Sequence, residues 1–274
     1  MKVERIYLDK ENPQVFMDAY ISDKIKGLIR DAVLIIPGGG YDMICDDREG
    51  EPIAQAFIPY GFNAFVLHYS VKKDKKTFPR PLIDASLAIC YIRKNAEKYG
   101  IDKNRVFACG FSAGGHLAGC LGTLWDKKEL FNGTNVCIEN NKPNGVMLIY
   151  PVVSYEYHTS SINNLFGGNK PSEEMIRLCS LENNVDKKSA PLFIFHTSND
   201  DLVDVRNSLV LANAYKRAGL MFEMHIYPNA PHGVALANGI TECGRPEWND
   251  YSMSKWVENA VLWTKNQIIR EDNK

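Results

Sequence analysis

The sequence predicts an α/β fold: a mostly parallel central sheet with helices on both faces. Three observations carry this. Short runs that are apolar on both faces, such as 33–36 and 145–150, alternate with longer stretches whose apolar residues recur at helical spacing. Glycine or proline stops several of the short runs. A chain of 274 residues with 45% apolar side chains can bury the large core such a sheet requires.

The elements follow in order. Residues 3–8 and 16–21 read as a pair of antiparallel strands at the sheet edge. Residues 33–36 form a continuous apolar run ending in Pro37-Gly38-Gly39-Gly40, a buried strand running into a glycine turn. Residues 51–58 predict a helix with Pro52 near its start, where proline is tolerated. A strand at 63–67 is followed by a helix at 82–99 that ends at Gly100. A strand at 105–109 stops at Gly110, and a helix is expected over 113–125. A strand at 145–150 stops at Pro151. Strands at 192–196 and 221–227 flank a helix at 205–218 that ends at Gly219, and a long helix is expected over 248–269. Strand–helix alternation of this kind means βαβ units.

Two stretches break the pattern. Residues 126–144 are polar and irregular. Residues 151–190 mix Ser, Asn, Gly and Lys with short apolar pieces. A loop of that length is uncommon unless it is functional, so it is read as a small cap-like excursion over the carboxyl edge of the sheet. With no repeat, low-complexity tract or linker, residues 1–274 are expected to form one domain.

Composition excludes several function classes. A net charge of -1 supplies no basic footprint for nucleic acid or anionic lipid. No apolar run approaches the roughly 18–20 residues that span a bilayer. The charged start, Met1-Lys2-Val3-Glu4-Arg5, leads into no signal-type apolar region. A cytoplasmic protein that binds neither membrane nor nucleic acid is expected. Its seven cysteines are odd in number and lack a Cys-x-x-Cys pair, arguing against a disulfide framework or a zinc site.

Gly110-Phe111-Ser112-Ala113-Gly114 matches Gly-x-Ser-x-Gly between a predicted strand and a predicted helix, the context of a nucleophile elbow. Its glycines allow a tight turn that lifts the Ser112 hydroxyl above the sheet at the positive end of the helix. An attacked ester forms an oxyanion that needs fixed N–H donors. Ala113 is one candidate. Gly39 and Gly40, after the 33–36 strand, are the others; a phosphate loop would want a Gly-Lys-Ser/Thr that is missing.

Of six histidines, His232 lies in a loop after the last strand, where the base of this fold order belongs. His68, His116, His196 and His225 read as packed or core residues. His158, in the excursion, reads as a surface residue, with substrate contact as the alternative. The acid should follow the 192–196 strand, where Asp200, Asp201 and Asp204 compete; Asp204 also suits a helix cap.

These motifs resemble the α/β-hydrolase fold of the esterase/lipase superfamily, and within it small bacterial carbohydrate esterases of the acetyl xylan esterase type. The resemblance rests on Pro37 to Tyr41, Arg48 to Pro52, Gly110 to Ala118, Asp200 to Val205 and Pro231-His232-Gly233. It implies a serine esterase that needs no metal or cofactor, acting on short-chain acyl esters of small molecules, acetylated sugars or xylo-oligosaccharides among them. It places the acid three residues before Val203, at Asp200. The usual following proline is Asp204 here, which keeps Asp201 as an alternative. It also implies that Arg48 and Glu49 brace the oxyanion loop. Pro37 stands where hormone-sensitive-lipase relatives carry histidine. Tyr41 and Trp125 are candidate substrate contacts, and the near-zero charge suits a neutral substrate. A thioesterase, a peptidase, or a non-catalytic binding protein on the same scaffold are the competing readings; the last would expect a damaged triad.

Overall fold

The computed structural model describes residues 1–9 and 12–271, with side chains described through 267. Eight strands form one sheet: β1 (Lys2–Tyr7), β2 (Phe16–Ile21), β3 (Arg30–Ile36), β4 (Phe62–His68), β5 (Ile101–Phe111), β6 (Val146–Ile149), β7 (Leu192–Thr197) and β8 (Phe222–Tyr227). Their spatial order is β1-β2-β4-β3-β5-β6-β7-β8. β1 and β2 pair antiparallel, and β2 pairs antiparallel with β4. The other five neighbouring pairs are parallel.

Period-two alternation splits the core into two layers. Ala32, Leu34 and Ile36 face one side with Val106 and Ala108. Val33 and Ile35 face the other with Phe107, Cys109 and Phe111. The first layer is covered by α3 (Arg80–Lys94), α5 (Ala113–Thr123) and α8 (Arg206–Arg217). The second is covered by α2 (Glu51–Phe57), after a short α1 (Asp46–Glu49), and by α9 (Trp256–Glu271).

The helices depart from expectation where local hydrogen bonding interrupts them. The 82–99 helix becomes α3 and α4 (Ala96–Tyr99). Between them the Asn95 side chain donates to Tyr91 O at 2.9 Å, a local bond that competes with the helix. The last helix starts at Trp256 rather than 248, because Asp250 folds the preceding residues into turns and accepts from Met253 N–H at 2.8 Å. The 151–190 segment is more regular than expected. It holds α6 (Thr159–Leu165), α7 (Glu173–Cys179) and a 3₁₀ turn at Leu181–Asn183.

The strand order decides where a ligand can sit. From β3 the chain crosses to β4 on one side, then returns to place β5 on the other. The carboxyl ends of β3 and β5 therefore bound the switch-point crevice typical of open α/β sheets. Ile36 pairs with Gly110, so Pro37 to Gly40 and Ser112 leave the sheet side by side.

Candidate active site

Ser112 occupies the turn between β5 and α5 with φ 53 and ψ −117, a left-handed backbone that a non-glycine residue adopts only when its surroundings force it. The flanking glycines show the force. A Cβ on Gly110 would lie 2.1 Å from Gly114 O, and one on Gly114 would lie 2.1 Å from Ile36 O. Ser112 N–H donates to Ile149 O at 3.0 Å, and Ser112 O accepts from His116 N–H and Val152 N–H, both at 3.1 Å. The backbone is fixed from three sides, and the residue as a whole is buried.

Ser112 Oγ lies 2.9 Å from His232 Nε2, and His232 Nδ1 lies 2.7 Å from Asp200 Oδ2. The three carboxylates that compete in the sequence take three different places. Asp200 meets the His232 ring. Asp201 accepts the His232 backbone N–H at 2.9 Å. Asp204 accepts from Arg206 N–H at 2.8 Å at the start of α8 and pairs with its guanidinium. The Asp200 side chain is 1% exposed. Burial alone would push its carboxyl up. Hydrogen bonds from His196 and His232, with the His232 charge, outweigh burial and hold it well below the usual carboxylate range.

The glycine loop lies against Ser112: a Cβ on Gly38 would be 3.0 Å from Ser112 Cβ. Gly38 N–H is already taken, donating to Glu49 Oε2 at 2.7 Å. The backbone N–H groups of Gly39, Gly40 and Ala113 have no acceptor among the described residues. Ala113 follows Ser112 directly, and Gly39 and Gly40 continue the loop that meets Ser112 at Gly38.

Arg48 and Glu49 reach further than the oxyanion loop. Glu49, 2% exposed, also accepts from Tyr150 OH at 2.8 Å, and that hydroxyl accepts from Ala235 N–H at 3.1 Å. Arg48 Nε donates to Gly233 O at 3.3 Å. The Tyr150 ring packs edge-on against His232 with centroids 4.9 Å apart. The pair thus ties the glycine loop to the loop that carries His232. Burial pushes the Glu49 carboxyl up, against Arg48, Gly38 N–H and Tyr150 OH.

Both expected substrate contacts lie elsewhere. Tyr41 has φ 58, which turns its ring into the core; it is 1% exposed, and its hydroxyl lies 2.7 Å from His116 Nδ1. Trp125 follows the far end of α5, about 15 Å or more from Ser112 at 1.5 Å per residue. It lines a separate cleft of about 970 Å³ with Tyr91 and Asn104, and its indole N–H donates to Lys188 O at 3.2 Å.

Other histidines also differ from expectation. His158 is buried, bonded to Ser161 Oγ at 2.8 Å, and Ser161 lies beside Gly40 on α6. His225 is half-buried on the edge strand β8, 2.9 Å from Glu223. His116 is wholly buried, as expected, and bridges Tyr41 OH and Cys179 O, the latter at 2.6 Å. His196 is buried as expected, but its Nε2 lies 3.2 Å from Asp200 Oδ2. A polar residue inside an otherwise apolar strand was the available signal, because buried polar groups must find partners.

Among the described residues no cluster of His, Cys, Asp or Glu could hold a metal ion, and no helix is long and apolar enough to cross a membrane.

Residues 17–215 match the BD-FAE family model. Endo-1,4-beta-xylanase B of Butyrivibrio fibrisolvens is 39% identical over 250 residues, covering 89% of this chain and 38% of that protein. Acetylxylan esterase of Xylanibacter ruminicola is 29% identical over 211 residues, covering 75% of this chain and 41% of that protein. The chain therefore spans about two fifths of the length of these curated relatives. The crystal structure of an acetyl ester-xyloside bifunctional hydrolase from Caldicellulosiruptor lactoaceticus superposes with a TM-score of 0.81 at 33% identity, covering 96% of both chains. The shared architecture is the α/β-hydrolase fold.

Proposed function

The chain belongs to the BD-FAE family of α/β-hydrolase esterases, and from that membership and the geometry at Ser112 we propose that it is a serine carboxylic-ester hydrolase acting on short acyl esters. Acetylated xylo-saccharides are the substrate class. The observation that carries the reading is the line Ser112 Oγ, His232, Asp200, with contacts of 2.9 and 2.7 Å, beside three unspent backbone donors.

In this reading His232 Nε2 takes the Ser112 proton as Oγ bonds to the ester carbonyl carbon. Asp200 holds His232 Nδ1–H and offsets the charge that forms on the ring. Gly39, Gly40 and Ala113 N–H groups receive the oxyanion. When the tetrahedral centre collapses, the C–O bond to the alcohol breaks and the alcohol leaves with the proton from His232. Water, deprotonated by His232, then attacks the acyl-serine, and the carboxylic acid leaves as Oγ recovers its proton.

The substrate class is supported by the relatives, whose names carry acetylxylan, xylanase and acetyl ester-xyloside activities. Helix α6 supports a confined site: Asn164 on it donates to Gly40 O at 3.0 Å, closing over the glycine loop. The test is hydrolysis of p-nitrophenyl esters of increasing acyl length alongside acetylated xylo-oligosaccharides. Acetyl release should dominate, and Ser112→Ala should lose on the order of a millionfold in kcat. Wild-type rates in that variant would refute the nucleophile, and a preference for long acyl chains would refute the substrate class.

A further inference from the structure

We propose that His196 and Ser208 are positioning residues for the triad acid: an imidazole, anchored at Nδ1 by the Ser208 hydroxyl, whose Nε2–H orients the Asp200 carboxylate for His232. The inference rests on the triad reading above and extends it inward by two residues.

The protonation pattern follows from the neighbours. His196 Nε2 faces two groups that only accept, Val203 O at 2.9 Å and Asp200 Oδ2 at 3.2 Å. Nε2 therefore carries the proton. Nδ1 faces Ser208 Oγ at 2.7 Å, a hydroxyl free to donate. His196 and Ser208 are each 0% exposed, so water competes for neither bond. Both rigid elements contribute: His196 stands on β7 and Ser208 in the first turn of α8.

The carboxylate shows what His196 adds. Asp200 Oδ1 accepts two backbone N–H groups, Leu202 at 3.0 Å and Val203 at 2.8 Å. Those bonds hold one oxygen but leave the carboxylate plane free to turn about it. Oδ2 accepts His232 Nδ1–H at 2.7 Å and faces His196 Nε2–H at 3.2 Å. With both oxygens doubly engaged, the acceptor capacity of the carboxylate is filled and its plane is set. The lengths also rank the partners. The His196 bond is longer and shared with Val203 O, so it steadies Oδ2 without drawing it from His232.

The experiment compares His196→Leu, His196→Gln and Ser208→Ala with the full wild-type chain. Each is assayed for p-nitrophenyl acetate hydrolysis, for the rate at which a fluorophosphonate probe labels Ser112, and for thermal unfolding. His196→Leu should lower kcat and the labelling rate on the order of 10- to 100-fold with KM little changed. His196→Gln, whose amide N–H reaches the place of Nε2, should recover most of that loss. Ser208→Ala should fall between the two. Wild-type kcat and labelling in His196→Leu would overturn the inference, as would a glutamine variant no better than leucine, since packing alone would then explain the effect. If His196→Leu fails to fold, Ser208→Ala decides: a wild-type kcat there overturns the inference. A wild-type protein that the probe does not label at Ser112 would instead sink the triad reading itself, and this inference with it.

Discussion

His116 makes the protein sensitive to acid, and the size of the effect can be worked out. Burial pushes its pKa down from the ordinary 6.5 to about 4. The folded state therefore keeps the ring neutral, while the unfolded chain takes up a proton as pH falls below 6.5. Stability from this group is fully present above that value and is lost as pH falls towards 4. With these two values the loss between pH 7 and pH 5 is about 2 kcal/mol at 25 °C. The neighbours explain why the neutral ring is kept: Tyr41 OH meets Nδ1 and Cys179 O takes Nε2–H, joining the glycine loop, α5 and the end of α7. Urea unfolding of the wild type and of His116→Gln at pH 7 and pH 5 isolates the effect. Burial also lowers the pKa of His68 and His158, so both proteins should weaken in acid, the wild type by about 2 kcal/mol more. Equal pH dependence in the two would refute the reasoning, as would a His116 ring whose NMR signals titrate near 6.5.

Three further outcomes test the site. Asp200→Asn should lower kcat on the order of 10⁴-fold, while Asp201→Asn, which alters only an acceptor of the His232 backbone, should stay within about tenfold; ester hydrolysis by the two side by side checks this. Glu49→Ala orphans Gly38 N–H and Tyr150 OH, so it should cost about 2–4 kcal/mol in denaturant unfolding and lower kcat as both loops loosen. Trp125→Ala should leave kcat/KM on p-nitrophenyl acetate within about twofold, because the far end of α5 lies some 15 Å from Ser112.

The sheet was legible because its central strands are buried on both faces, and runs such as 33–36 and 192–196 leave little alternative to a parallel centre. The elbow was legible because steric demand writes glycine at 110 and 114. The acid was not separable by spacing: Asp200, Asp201 and Asp204 differ only in which way the turn after β7 points them. Helices α6 and α7 were hidden by their shortness and by the polar Ser and Asn of 159–165, although Ser172, which accepts from Met175 N–H at 3.3 Å, was a readable cap. Tyr41 misled because a residue beside a glycine loop looks exposed until a positive φ turns it inward. Trp125 misled because closeness to Ser112 in sequence is not closeness across three helical turns. His196 was correctly placed in the core, but an apolar pattern cannot say which polar group a buried imidazole touches.

If Ser112, His232 and Asp200 act as proposed, the strand order has a consequence for how hydrolytic power arises during synthesis. The glycine loop and Ser112 come from β3 and β5 in the middle of the sheet, while Asp200 and His232 follow β7 and β8 at its far edge. A growing chain that has emerged only through α5 holds the nucleophile turn with neither acid nor base beside it. Under the proposed mechanism the hydroxyl would stay an ordinary alcohol until the last parallel strands dock, so completion of the sheet would switch on the reactive centre.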